Sequence, residues 1–404
     1  MRRRLGVAAV VLALVFGAAV LGFAGRMGDS SAERKDSAER KDSLRTVLEV
    51  VALVKTNYVD DVAVSSLLSN YARRGSITGM LEASLKDPYS RYLVPAAYKE
   101  MRMDNAGEFG GIGVYLGMGK DSELLVIAPI DGTPAARAKV KAGDRIVLID
   151  GRSTAKLSVD EAANLMRGPK GTTVTIVVER GKDKERHEFR LVRDVIKVPS
   201  VRSEMLADKV GYLRIASFTA TTADDFEENL TKLETGGMKG LILDLRFNPG
   251  GLLNAAIDVL NKLIGEGPLL HVVGRASSKQ SFYARPGKIH PNYPIVVLIN
   301  GGSASAAEIV AGGLQDTRRA IVLGVKSFGK GSVQTIYPLR DGSALSLTTQ
   351  KWLTAGGHSI SKKGIIPDVV VKNPGDDEME AELDKMRTEQ QNGKQPAAVK
   401  TSAK

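Results

Sequence analysis

From the N-terminus onward, the chain changes its hydrophobic rhythm in steps. An uncharged run from Leu5 to Gly25 follows Arg2, Arg3 and Arg4, and the charged repeat SAERKDSAERKD, Ser31 to Asp42, then lacks any large apolar residue. Helical spacing begins at Leu44, Val47, Leu48, Val51 and Val54, an apolar stripe on one helix face. That stripe either packs against the rest of the protein or joins two copies as a dimerisation helix.

Shorter periods follow. FGGIGV, Phe109 to Val114, predicts a glycine-rich turn leading into a strand, with backbone N–H groups free to converge on an anion. GTPAARAKVKAGDRIVLIDG, Gly132 to Gly151, predicts a short alanine-rich helix, a turn at Ala142 to Asp144 and an apolar strand. Ser158 with Glu161 forms a capping box that opens the next helix, and the alternating TTVTIVVER closes the unit. From Val210 strands and helices alternate, which predicts an α/β core. The strand VGYLRIASF precedes a helix from Thr222 to Thr235. A strand from Leu241 to Phe247 ends in the turn NPGG, and a helix from Leu252 to Ile264 leads to PIVVLIN. The polar stretch from Asn373 to Lys404 predicts a helix and a frayed tail.

Composition narrows the classes. With 404 residues and 43% apolar content the chain can form two or three domains. No later uncharged run approaches the roughly 20 residues that span a bilayer, so a membrane bundle is excluded. The absence of cysteine removes disulfides, thiol catalysis and cysteine-ligated zinc. The net charge of +11 is dispersed among acidic residues without an aromatic stripe, which argues against nucleic acid. The arginines before the long apolar run read as an export signal: either an uncleaved anchor with its basic end in the cytoplasm, or a long signal peptide that is removed. The charged repeat after it reads as a solvated spacer.

Candidate chemistry collects where strands end and helices begin. NGGSASAAEI, Asn300 to Ile309, offers Ser303 and Ser305 as hydroxyl nucleophiles, Ser303 fitting better as a capping serine before the helix. A nucleophile needs a base and amide donors for the oxyanion. His187, His271, His290 and His358 sit in unrelated contexts. A lysine can replace histidine if burial lowers its pKa, and Lys330, between Gly329 and Gly331, can approach other backbone closely. Glu308, one turn into the helix, fits a structural hydrogen bond better than a general acid.

Two resemblances gather these residues. FGGIGV with AGDRIVLIDG resembles a PDZ domain over residues 105–195. NGGSASAAEI, KSFGKGSVQ and DLRFNPGG, together with LKDPYSRYL and KGIIPDV, resemble the carboxyl-terminal processing peptidases of family S41. The resemblance implies a crotonase/Clp-protease-like α/β core (196–372) with an inserted PDZ domain and an N-terminal helical region (43–104); the signal anchor (1–25) and charged linker (26–42) read from the residues precede it. It also implies a serine–lysine dyad. Ser305 would be the nucleophile, Lys330 the base and Gln334 the residue that orients the amine. The amides of Gly251 and Ala306 would form the oxyanion hole. Phe109, Gly110, Gly111, Ile112 and Gly113 would hold a peptide's terminal carboxylate. Two departures, His358 where arginine is common and Trp352 where tyrosine is common, are expected to stand clear of the dyad.

The activity implied is serine endopeptidase cleavage of envelope proteins near their C-termini, without metal or organic cofactor. The partners implied are protein C-termini, the inner membrane through the N-terminal segment, further copies of the chain and an activating adaptor. A catalytically silent PDZ scaffold and a crotonase-like acyl-CoA enzyme are the competing classes. Intact Ser305, Lys330 and Gln334 speak against the first, and the export signal and PDZ segment against the second.

Overall fold

Two neighbouring parallel strands organise the C-terminal half. Gly240–Asp244 runs beside Ile295–Ile299, with Asp244 opposite Leu298. Both are nearly unbroken apolar runs, as strands covered on both faces require. In spatial order the sheet comprises Val201–Met205, Val210–Ile215, Gly240–Asp244, Ile295–Ile299, Ile321–Gly324 and Val369–Val370, and only the first pair is antiparallel. Helices Thr222–Thr235, Leu253–Leu263 and Ala306–Asp316 carry the chain between the strands. Their Phe226, Leu260 and Val310 are buried in one cluster with Leu213, Leu243 and Val297, each such side chain contributing about 1.5–3 kcal/mol. In such sheets, reactive loops lie beyond the carboxyl ends of the strands, here side by side after Asp244 and Ile299.

This computed structural model describes residues 32–119, 123–181, 183–285, 287 and 289–372. The expected anchor at 1–25 and the expected C-terminal helix and tail at 373–404 lie outside the described residues. No helix among the described residues is long and apolar enough to cross a membrane.

A second sheet orders Arg91–Leu93, Ala344–Leu353, Pro268–Gly274 and Lys279–Tyr283, and Ser332–Pro338 pairs with Ala344–Leu353 as well. The segment carrying Lys330 runs into Ser332–Pro338.

The middle unit is a sheet of Val114–Met118, Leu124–Pro129, Arg145–Ile149, Thr173–Arg180 and Glu185–Val192, with helices Pro134–Arg137 and Val159–Met166. Ile146, Ile176, Val178 and Met166 fill its own core. The capping box is present: Ser158 N–H donates to Glu161 and Glu161 N–H to the Ser158 hydroxyl. Val114–Met118 lies at the sheet edge, where an added strand can pair.

Several expectations shift. Part of the glycine stretch read as a turn is a strand, Glu108–Gly111, paired with Asp194–Lys197 where the chain enters and leaves the unit. The strand expected to reach Phe247 stops at Asp244, because the Asp244 carboxylate accepts the Arg246 N–H at 2.9 Å and turns the chain. From Ala32 on, the spacer repeat lies inside a helix, Ala32–Asn57, consistent with the helix propensity of its alanine, glutamate, arginine and lysine residues. Of the apolar stripe, Val51 and Val54 are buried while Leu44 is exposed. Helices Val64–Arg74, Ile77–Ser84 and Pro95–Asn105 complete the N-terminal region.

Candidate active site

The turns after the two parallel strands are braced by a pair of buried asparagines. The Asn248 amide donates to the Ile215 carbonyl at 2.8 Å, its side-chain oxygen accepts Gly250 N–H at 2.8 Å, and its carbonyl accepts Ala304 N–H at 2.9 Å. The Asn300 side-chain oxygen accepts Phe247 N–H at 2.9 Å and Gly302 N–H at 3.1 Å. Each turn thereby holds the other. Sequence reasoning passed over both asparagines, although each stands at a strand end just before a glycine turn.

The brace presses the NPGG turn onto Ser305. A Cβ at Gly250 would sit 2.8 Å from Ser305 Cβ and 2.9 Å from Ala306 N, and Gly250 has φ +99. Only glycine fits there. Gly251, at φ +140, bridges to Phe218 through the Gly250 carbonyl and the Leu252 N–H. Its own N–H has no partner among the described residues. Ala306 opens the helix Ala306–Asp316, and its N–H likewise has no partner among the described residues. The two predicted oxyanion donors thus belong to touching turns at a helix N-terminus, where a developing negative charge is stabilised.

Ser305 is the N-cap and carries strained backbone, φ 54 and ψ −113. Non-glycine residues in that region cost about 1–3 kcal/mol and cluster at functional sites. Ser303, in contrast, is fully buried. Its hydroxyl donates to the Leu245 carbonyl at 2.8 Å and accepts Asn300 N–H at 3.0 Å, so its bonds are spent on the fold.

Glu308 joins this turn to the segment carrying Lys330. The carboxylate, fully buried, accepts Ser305 N–H at 2.8 Å, Lys330 N–H at 2.9 Å, Gly329 N–H at 2.6 Å and the Ser327 hydroxyl at 2.5 Å. Burial pushes its carboxyl above the ordinary range while those donors pull it back. The expectation of a structural hydrogen bond holds, and the bond spans both halves of the candidate dyad. Gly329, at φ +92, and Gly331 pack against the backbone of Ser361 to Gly364, as the flanking glycines suggested. Trp352 corrects another expectation: it does not stand clear of Lys330. Its indole N–H donates to the Lys330 carbonyl at 3.0 Å, and its own N–H donates to the Gly331 carbonyl at 3.0 Å.

Burial holds the Lys330 amine below the usual lysine range, and the positive charge of Arg91 adds to the effect, opposed by Asp87 and Glu308. Its Nζ lies over the Tyr89 ring, 4.7 Å from the centroid. Gln334 does not reach it: the Gln334 amide nitrogen donates to Ser332 Oγ at 2.9 Å and Thr348 Oγ1 at 3.1 Å. No histidine replaces the lysine. His290, for example, is buried between Glu227 and Glu234.

Beside the turns stands an acid–arginine cluster that sequence reasoning named only as part of a motif. Burial alone would raise the Asp244 carboxyl, but hydrogen bonds from Arg246 and Tyr212 hold it below its ordinary range. The strand-end position of the aspartate was the available signal.

In the middle unit Phe109, Gly111, Ile112 and Gly113 line a cleft of about 80 Å³ with Val114, Leu116 and Met166. Gly110 does not line it: its backbone meets Gly168, whose N–H it accepts at 3.0 Å. Ile112 contributes backbone only, since its side chain is core. A second cavity of about 320 Å³ runs from Phe109 and Arg167 past Ser217 to Gly250 and Gly251. Phe109 and Arg167 line both cavities.

Residues 209–371 match the profile of peptidase family S41, 125–180 that of a PDZ domain, and 20–95 that of the activating protease CtpB N-terminal domain. A carboxy-terminal-processing protease of Bartonella bacilliformis is 44% identical over 332 residues, covering 81% of this chain and 74% of the relative. A carboxyl-terminal-processing protease of Synechocystis is 39% identical over 297 residues, 72% of this chain and 69% of that protein. Among solved structures, a photosystem II D1 C-terminal processing protease aligns with a TM-score of 0.54 at 30% identity, over 81% of this chain and 92% of that one. With such identity across most of both partners, the chain belongs to the carboxy-terminal-processing proteases of peptidase family S41.

Proposed function

We propose that this protease is a serine endopeptidase with Ser305 as nucleophile and Lys330 as general base. The observation that carries the reading is the strained Ser305, pressed by Gly250 and flanked by the unpartnered N–H groups of Gly251 and Ala306, on the same carboxylate clamp as a desolvated lysine. The neutral Lys330 amine takes the Ser305 hydroxyl proton as Oγ bonds the scissile carbonyl carbon. The resulting oxyanion is stabilised by the Gly251 and Ala306 amides. The C–N bond then breaks, the leaving amine receives the proton from the Lys330 ammonium, and water hydrolyses the acyl-enzyme with Lys330 again as base.

Substrates are envelope proteins with flexible C-termini. The terminal carboxylate meets the backbone of Gly111 to Gly113 beside Phe109, the preceding residues add as a strand beside Val114–Met118, and the chain follows the larger cavity toward Gly251. The arginines and apolar run at the N-terminus hold the enzyme at the outer face of the inner membrane. The test incubates the purified protein, Ser305→Ala and Lys330→Ala with an unstructured protein bearing an apolar C-terminus. Cleavage by the parent alone supports the reading. Cleavage by either variant at the parental rate overturns it.

A further inference from the structure

The amine of Lys330 rests on an aromatic face supplied from far away in sequence. Tyr89 belongs to the turn Asp87 to Ser90, where Asp87 accepts Tyr89 N–H at 3.0 Å and the Ser90 hydroxyl at 2.6 Å. Ser90 in turn accepts Thr348 N–H at 2.9 Å, and Arg91–Leu93 pairs with Ala344–Leu353. The turn is thereby fixed to the strand that also holds Gln334 through Thr348. The turn carrying the ring is held in place at the Lys330 amine. Among the described residues no hydrogen bond reaches the Lys330 amine.

We propose that Tyr89 is the positioning residue of the base: its ring face holds the Lys330 ammonium between turnovers and releases the neutral amine to Ser305. The inference rests on the serine–lysine reading above. An aromatic quadrupole attracts a cation strongly and a neutral amine hardly at all, and the attraction is greatest where water is excluded. The ring therefore discriminates between the two protonation states of the base. It favours the charged form, which burial and Arg91 oppose and which Asp87 and Glu308 support. A base parked in this way accounts for an amine that neither Ser305 nor Gln334 binds. It also assigns a role to the LKDPYSRYL stretch beyond packing.

The experiment replaces Tyr89 by phenylalanine and then by di- and trifluorophenylalanine, rings of nearly equal shape and falling quadrupole, in the full chain. The acid limb of kcat/KM against pH is recorded for each with the tailed protein substrate, and folding is checked by circular dichroism. Tyr89→Phe should keep the parental limb. The fluorinated rings should move it stepwise to lower pH, by about one unit in total, the equivalent of the ammonium–ring attraction. A limb that stays at the parental pH through the whole series would overturn the proposal. Ser305→Ala and Lys330→Ala run alongside separate the two readings. If both are inactive and the series is flat, only the role of Tyr89 falls; if either cleaves like the parent, the dyad itself falls.

Discussion

Around Ser305 the two turns are tied down: Asn248 and Asn300 brace them, Gly250 packs against Ser305, and Glu308 holds its N–H, which leaves the Gly251 and Ala306 N–H groups fixed in place. Around Lys330 only the backbone is held so, by Glu308 and Trp352, while the amine lies on a ring with no hydrogen bond among the described residues. The contrast fits the chemistry proposed for each. An oxyanion has to be met by donors already in place, since reorganisation during the reaction would cost rate. A base has to change its charge and its partner within each cycle, which a rigid hydrogen-bonded amine would resist. One carboxylate, Glu308, links the two halves.

The comparison can be broken in order of expected effect. Ser305→Ala should lower kcat/KM by about 10⁴-fold or more, because the other members of a catalytic unit cannot work without the nucleophile. Lys330→Met, which keeps an apolar stem in the buried slot, should cost about 10³-fold, the scale of a general base. Gly250→Ala tests the fixed half. Its Cβ would displace Ser305 and Ala306 and should lower kcat by about 10²-fold, with a loss of stability of about 1 kcal/mol or more from the strained alanine. Glu308→Gln places an amide among four donors, so it should destabilise the fold by about 2–4 kcal/mol in urea titration and lower kcat as well. A fully stable Glu308→Gln protein would mean that the two halves are held by other contacts.

The smallest effect is on stability against pH. The Asp244 carboxyl is held below its ordinary range in the folded protein, so the unfolded chain takes up a proton first as pH falls. Its stabilisation is complete at neutral pH and is lost as pH drops through the depressed value. Asp244→Asn should therefore flatten the acid side of the stability curve, as read by denaturant midpoints from neutral to acid pH.

Much of the core was legible because local signals and global packing agree. The helix at Thr222–Thr235 falls where the apolar period predicts it, and the capping box opens its helix at Ser158. The glycines around Lys330 and in NPGG pointed to close backbone contacts, and those contacts exist. What escaped depends on pairs distant in sequence. The indole of Trp352 reaches Lys330 only because Ser332–Pro338 and Ala344–Leu353 are paired, and Tyr89 reaches its amine only because Arg91–Leu93 joins the same sheet. The strand at Glu108–Gly111 exists because Asp194–Lys197 returns beside it, which no local pattern announces.

The most direct measurement is the site and pH dependence of covalent labelling by a fluorophosphonate, mapped by peptide mass spectrometry. The account predicts one adduct, on Ser305, forming faster as pH rises through the Lys330 titration and hardly at all in Lys330→Met. An adduct on Ser303, or labelling of Ser305 at the parental rate without the lysine, would contradict it.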